Sequence, residues 1–334
     1  MTAERLPRIS VVVLAYNHGP YIAQCLEGIL AQDYAGQVEV LVGEDHSSDD
    51  TLATVKRYAA LNPNTVHVLT SDTNVGMHAN HRRLLDAASG DLVAYCEGDD
   101  YWQATDKLTV QANHLARHPH HVGVHSDVDH IIPVRHRWYV MRDYWTKHIE
   151  RPAETTFDDL LIRNTVQTCS LMIRAEAATS YPSSTLARGR YQIEDWPLFL
   201  HATTFGPFGL VDRSLATYRR LPGSATQQGP AAAERRIMDQ LRLVDNAVEL
   251  AGLPLERRRA GAETTRDALV WNALSAGDGA MLIRALDVPS EHGANPHPRD
   301  ALLRRLASLP VATVLGRGAT RVIQARQLLK YRPE

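Results

Sequence analysis

From Ile9 to Pro119 the chain alternates short apolar runs with stretches of helical period. Ile9–Leu14, Val38–Val42, Thr65–Leu69 and Leu92–Cys96 are rich in β-branched and other apolar residues. Runs of this length read as buried strands of a parallel sheet. Between them, Pro20 opens a helix with Ile22, Cys25, Leu26, Ile29 and Leu30 on one face. Asp49 or Asp50 is expected to cap a second helix, which carries Leu52, Val55 and Tyr58. A third holds Leu84, Leu85 and Ala88 and stops at Gly90. Thr105 is expected to cap a fourth, with Leu108, Ala112 and Leu115, which ends before Pro119. Strict β-α alternation predicts an α/β fold, a mostly parallel sheet wound with right-handed crossovers and flanked by helices.

Beyond Val122 the pattern loosens. Val122–Ile132, Cys169–Ile173 and Leu210–Tyr218 read as strands, and Trp196–Thr203 as a helix. Past Pro230 every periodic segment is helical, with Ile237, Leu241, Val244 and Val248 on one stripe and Leu269, Val270 and Leu274 on another. The expected division is a catalytic unit over 1–228 and an all-α appendage over 229–334.

Composition narrows the function. A chain of 334 residues has room for two domains, and 44% apolar with 22% charged residues is ordinary for a globular protein. A net charge of −2 provides no basic field of the kind that recruits nucleic acid. No apolar run approaches bilayer length, and the N-terminus enters a strand without an apolar signal core. Cys25, Cys96 and Cys169 lack metal-type spacing and read as small buried hydrophobes in a reducing compartment. The expected location is the cytoplasm.

Two acidic clusters stand at strand ends. Glu44-Asp45 closes the second run, with Asp49-Asp50 just beyond, and Glu97-Gly98-Asp99-Asp100 closes the fourth. In an open α/β sheet, ligands sit beyond the carboxyl ends of such strands. Carboxylates crowded there repel one another unless a cation intervenes. A hard divalent ion with oxygen ligands, holding substrate phosphates, meets that need. The plainer account makes Asp49 and Asp50 helix caps and Asp99-Asp100 a solvated turn.

Five segments in order carry a resemblance: Ile9-Ser10-Val11-Val12-Val13-Leu14-Ala15-Tyr16-Asn17, Gly43 to Thr51, Asn74-Val75-Gly76-Met77 with Asn80, Glu97 to Trp102, and Glu194-Asp195-Trp196-Pro197. Over roughly residues 7–225 the chain resembles the inverting, family-2 nucleotide-sugar glycosyltransferases, whose fold is called GT-A. The resemblance implies a donor site at Ala15, Tyr16, Asn17, Glu44, Asp45, Asn80, Glu97 and Gly98. In it, the Tyr16 ring lies against the nucleobase, and Asp45 accepts a hydrogen bond from it. A carboxylate there suits the N–H edge of uracil or thymine, hence a UDP- or dTDP-sugar. Glu97-Gly98-Asp99 occupies the place of an Asp-x-Asp motif, with Asp99 the expected ligand of Mg²⁺ or Mn²⁺. Glu97 departs from that motif and is left a ribose hydroxyl or a metal-bound water. Asp195 matches the base that deprotonates the acceptor hydroxyl. His125, Asp127, Glu194 and Trp196 are expected near the acceptor. Many relatives carry Tyr-Arg-x-His where this chain has Tyr218-Arg219-Arg220-Leu221. Arg219 or Arg220 is therefore expected to meet the diphosphate in place of the absent histidine.

The implied partners are a nucleotide-sugar donor and a glycan, lipid-linked or small-molecule acceptor, in cell-surface glycan or natural-product synthesis. Two other classes compete. A non-catalytic sugar-nucleotide or glycan binding module needs neither Asp99 nor Asp195. A nucleotidyltransferase would carry a glycine-rich triphosphate loop, which Ala15-Tyr16-Asn17-His18-Gly19-Pro20 is not. The histidines at 114, 118, 120, 121, 125 and 130 have no cysteine partner or ligand pattern completing a tetrahedral set, and read as a solvated turn. Residues 301–334 carry Arg304, Arg305, Arg317, Arg321, Arg326, Lys330 and Arg332 against the single acid Glu334. With Val322, Ile323, Leu328 and Leu329 they fit a basic amphipathic helix on an anionic membrane face. The plainer account is a helix packed on its own domain, or in a homodimer, with a solvated basic face.

Overall fold

Alternation along the strands divides the core. In β1 (Ile9–Ala15), Val11 and Val13 face one layer of helices and Val12 the other. In β4 (Leu92–Tyr95) Ala94 joins the first layer while Val93 and Tyr95 join the second. Strands covered on both faces need apolar residues at every position, which is why these segments read as continuous apolar runs. The structure, a computed structural model, describes residues 5–307 apart from 135–136, 150, 222–228, 255, 277 and 292–299.

The first half follows the β-α alternation. After β1 come α1 (Ile22–Leu30), β2 (Val38–Glu44), α2 (Thr51–Leu61), β3 (Val66–Leu69), α3 (Met77–Ala87), β4, β5 (Tyr101–Trp102) and α4 (Lys107–Arg117). Ile22, Cys25 and Leu26 of α1 pack with Leu108 and Leu115 of α4 on one face of the sheet. Leu84 and Leu85 of α3 pack on the other. Burying each such side chain contributes about 1.5–3 kcal/mol. One cap differs from expectation. Asp106, not Thr105, stands at the N-cap of α4. Asp50 stands at the N-cap of α2 without a side-chain bond, and it is the Asp49 carboxylate that accepts from Thr51 N at 3.0 Å and from Gly19 N at 2.8 Å.

The second half contains β6 (Gly123–Val134), β7 (Arg137–Met141), α5 (Tyr144–His148), β8 (Glu154–Thr155), α6 (Phe157–Ile162), β9 (Met172–Arg174), α7 (Ala175–Ser180), α8 (Thr185–Arg188), α9 (Asp195–Thr203) and β10 (Phe208–Arg219). The sheet order is β3-β2-β1-β4-β9-β6-β10-β5, with β7 on β6 and β8 on β10. β9 runs antiparallel between β4 and β6, so β6 and β10 again run parallel to β4. The expected strand at Cys169–Ile173 is split: Thr168–Ser170 forms a 3₁₀ turn and only Met172–Arg174 pairs. That antiparallel insertion carries the turn to the carboxyl-end side of β4.

The C-terminal helices are α10 (Pro230–Leu250), α11 (Arg257–Ala276), α12 (Gly279–Glu291) and α13 (Asp300–Ala307). Leu243, Val244, Ala247 and Val248 of α10 share a cluster with Leu160, Leu161 and Phe199, so this helix closes the core of the preceding unit. Farther out, Ala273, Met281, Leu282 and Leu286 form a small cluster of their own. Arg304, one of the C-terminal basic residues, bonds Asp287 at 2.7 Å. Arg317, Arg321, Arg326, Lys330 and Arg332 lie outside the described residues, as does the amphipathic segment expected there. Among the described residues no helix is long and apolar enough to cross a membrane.

Candidate active site

The loops after β1 and β2 lock together. Ala15 O accepts from Asp45 N at 3.0 Å, and Asn17, in the left-handed region at φ 55°, accepts at its Oδ1 from Ser48 N at 2.9 Å. Asparagine tolerates that conformation better than most residues. Tyr16 is left at the rim, 48% exposed. Glu44 is buried and accepts from Ser47 N at 2.7 Å. The buried Asp45 carboxylate accepts from Val75 N at 2.8 Å and Gly76 N at 2.9 Å, drawing the loop before α3 against β2. Asn80 does not face open space. It is buried against β2, donating to Gly43 O at 2.8 Å and accepting from Arg83 Nε at 2.9 Å.

Beyond β4 the acidic loop is fixed from behind. Gly98 N donates to Leu14 O at 2.9 Å, and a Cβ there would meet His18 Nδ1 at 2.7 Å and Ile22 Cδ1 at 2.8 Å. The close approach that requires this glycine is therefore to the chain's own β1–α1 loop. Asp100 is buried and accepts from Arg219 N at 2.8 Å. Arg219 corrects the expectation that it meets a diphosphate. It is 3% exposed, its guanidinium donates to the Asp99 carbonyl and Gln24 Oε1, and its charge lies 5.1 Å from the Tyr21 ring centroid and 4.6 Å from that of Tyr101. Its bond to the Asp99 carbonyl holds the loop's main chain, while the Asp99 carboxylate approaches His18.

Around Glu97 the carboxylates gather. Glu97 Oε2 is buried without a hydrogen-bond partner. Burial, then Asp99, then Asp195 push the Glu97 carboxyl up to about 8. Asp99 Oδ1 stands 3.9 Å from His18 Nε2. Asp195 opens α9, and its carboxylate accepts from Trp196 N at 2.8 Å and from the Thr168 hydroxyl at 3.4 Å. Burial lifts its pKa above the usual carboxylate value, against the lowering effect of those bonds. Oxygen donors, one of them a buried carboxylate oxygen without a partner, suit a hard divalent cation rather than a softer one.

The other expected acceptor residues fall elsewhere. The Glu194 carboxylate is taken by α3, with His81 Nδ1 at 2.9 Å and His78 beside it. Burial pushes His81 down to about 3, so it stays neutral. Trp196 is buried, its indole N–H donating to Leu160 O at 2.9 Å. His125 is buried with its Nε2 at 3.1 Å from Thr155 Oγ1. Asp127 is buried and paired with Arg151 at 3.2 Å, and it also accepts from Trp145 N at 3.0 Å and Thr146 N at 2.9 Å. Asp127→Ala removes the ion-pair partner of the buried Arg151 guanidinium, an expected loss of about 3–5 kcal/mol in urea unfolding. An unchanged midpoint would show the pair to be solvated.

Sequence reasoning passed over His18, Thr168, His78 and His81. His18 was legible, since it stands in the loop at the carboxyl end of β1, where ligands bind. Thr168 had no signal, because only the antiparallel return of β9 carries it to Asp195.

Comparison with known proteins agrees with this fold. Residues 10–177 match the model of "Glycosyl transferase family 2". An uncharacterized protein of Mycobacterium tuberculosis is 34% identical over 217 residues, which is 64% of this chain and 58% of that protein. The chain thus spans little more than half the length of that relative. Among solved structures, S. aureus TarS 1-349 in complex with UDP-GlcNAc superposes with a TM-score of 0.61 at 18% identity, covering 97% of this chain and 92% of that one. The mannosyltransferase PcManGT of Pyrobaculum calidifontis, in complex with GDP-Man and Mn²⁺, gives 0.58 at 18% identity, covering 98% and 88%. The β-α-β core, the acidic loop beyond β4 and the family match together place the chain in the family-2 glycosyltransferases, on the GT-A fold.

Proposed function

We propose that this chain transfers a sugar from a nucleotide-diphosphate sugar, of UDP or dTDP type, to an acceptor hydroxyl with inversion at the anomeric carbon. The observation that carries the proposal is that Glu97, beyond β4, lies near enough to Asp99 and to Asp195, at the start of α9, for both to raise its pKa. Asp195 is aimed by the Trp196 N–H and the Thr168 hydroxyl. From that position it takes the acceptor proton as the hydroxyl attacks, opposite the departing nucleotide. Tyr16 offers its exposed ring to the base, and the Asp45 carboxylate lies under the same end of the sheet. Asp99, with Glu97 beside it, would hold Mg²⁺ or Mn²⁺. When bound, such an ion neutralises the charge that develops on the diphosphate. Arg219 acts as a positioning residue, fixing the backbone of Asp99 from behind. The acceptor class that fits the proposal is a hydroxyl-bearing glycan, lipid-linked intermediate or small molecule.

A panel of UDP-, dTDP- and GDP-sugars, incubated with the protein and Mg²⁺ or Mn²⁺ and assayed for released nucleotide, tests this. Release from at least one uridine or thymidine donor is expected, stimulated by an acceptor. Release confined to GDP-sugars would remove the base assignment, and no release from any donor would favour a binding module.

A further inference from the structure

At the end of the sheet opposite the acidic loop, where β6 and β10 begin, four imidazoles and a carboxylate crowd together. His114 and His118 lie on and just after α4, His120 and His121 on the turn into β6, and Glu154 on β8. The ring centroids of His114 and His121 are 5.1 Å apart and stacked, and those of His120 and His121 are 4.2 Å apart. His121 Nε2 is 2.9 Å and His120 Nε2 3.2 Å from Glu154 Oε1. One ligand atom from each of these three residues falls within 4.8 Å of the others. Sequence spacing could not show this, because Glu154 arrives by pairing opposite Gly209.

We propose that His120, His121 and Glu154 form a transition-metal site, of Zn²⁺ type, separate from the cation at the donor. Two imidazoles and one carboxylate suit Zn²⁺, whereas Mg²⁺ and Mn²⁺ favour oxygen sets. Three further observations support it. The turn is built rigidly, since the Arg174 guanidinium bonds His121 O at 2.9 Å and Leu115 O at 2.9 Å. Space is reserved for the rings: a Cβ at Gly209 would meet His114 Nε2 at 2.2 Å and His121 Nδ1 at 2.5 Å. Finally, an outer partner is in place. A His121 that ligates through Nε2 carries its proton on Nδ1, and His114 Nε2 stands 2.9 Å away to accept it. Ligating histidines almost always donate their other N–H in this way. The side chains of His120 and Glu154 are 59% and 45% exposed, which leaves the ion an entry path and room for a water ligand. Glu154 leads through α6 to Leu160, whose carbonyl holds Trp196 beside Asp195, so the ion would tie the turn after α4 to the base-bearing segment.

The test uses the full chain, produced without a histidine tag and stripped with chelator. Calorimetric titration with ZnCl₂ should give one equivalent that about a hundredfold excess of Mg²⁺ does not displace. His114→Ala should weaken binding about 10–100-fold, and His120→Ala or Glu154→Gln, both at exposed side chains, at least as much. The melting temperature should rise with Zn²⁺ in the wild type and not in the His120→Ala/Glu154→Gln double variant. Absence of binding, or binding that the double variant retains, overturns the site. Glycosyl transfer enters none of these readouts, so failure here leaves the donor site untouched.

Discussion

Asp195→Asn is expected to lower the transfer rate by about 10²–10⁴ while leaving nucleotide affinity nearly unchanged. The amide keeps the shape and can still accept from Trp196 N, but it has no basicity to offer the acceptor proton. A loss of that size is about 3–5.5 kcal/mol of transition-state stabilisation. The pH profile adds a second readout. The active form is the carboxylate, and burial raises its folded pKa above the ordinary value. Activity should therefore be complete above that raised pKa and fall as the pH drops through it, at a higher pH than a solvated aspartate would give. The residual activity of the asparagine variant should lack this limb. Turnover at the parent rate would reduce Asp195 to the first residue of α9, with Glu194 the next carboxylate to test.

Asp99→Ala is expected to lose both donor affinity and turnover, with turnover down about 10²–10³. Excess EDTA should abolish wild-type activity, and Mg²⁺ or Mn²⁺ should restore it. The reasoning is electrostatic. Glu97 and Asp99 oppose an incoming diphosphate unless a cation lies between them, and the neighbouring basic residue Arg219 is bonded to the loop's main chain. Leu221 is buried and apolar, while His18 approaches Asp99 from the β1 side. Full activity in excess EDTA would contradict the role given to Asp99. A His18→Ala variant that keeps metal dependence would leave that role to Asp99 and Glu97 alone.

The sheet's first half was legible because β1, β2 and β4 are covered on both faces, so Val11, Val12 and Val13 must all be apolar whichever way they point. The second half was less so. β8, like β5 before it, is two residues long, too short to carry a period, and Cys169–Ile173 reads as one strand although the chain turns at Thr168–Ser170 before pairing. The acidic loop and Asp195 were found as types of residue at marked positions. Sequence could not show which groups would be used up internally. Asp127 is spent on Arg151, Asn80 on Gly43, and Arg219 on the Asp99 carbonyl, each through a contact between residues distant in sequence. The meeting of His120 and His121 with Glu154 was hidden for the same reason. The carboxylate comes from β8, which only the β10 pairing brings near.

Proton NMR of the product formed from an α-linked nucleotide sugar tests the central claim most directly. One-step attack assisted by Asp195 must invert the anomeric centre, so a β-linked product with its large vicinal coupling (for gluco- or galacto-configured sugars) is predicted. An α-linked product would contradict it, because retention requires either a covalent intermediate or front-face attack, and in neither does Asp195 take the proton from an acceptor placed opposite the departing nucleotide.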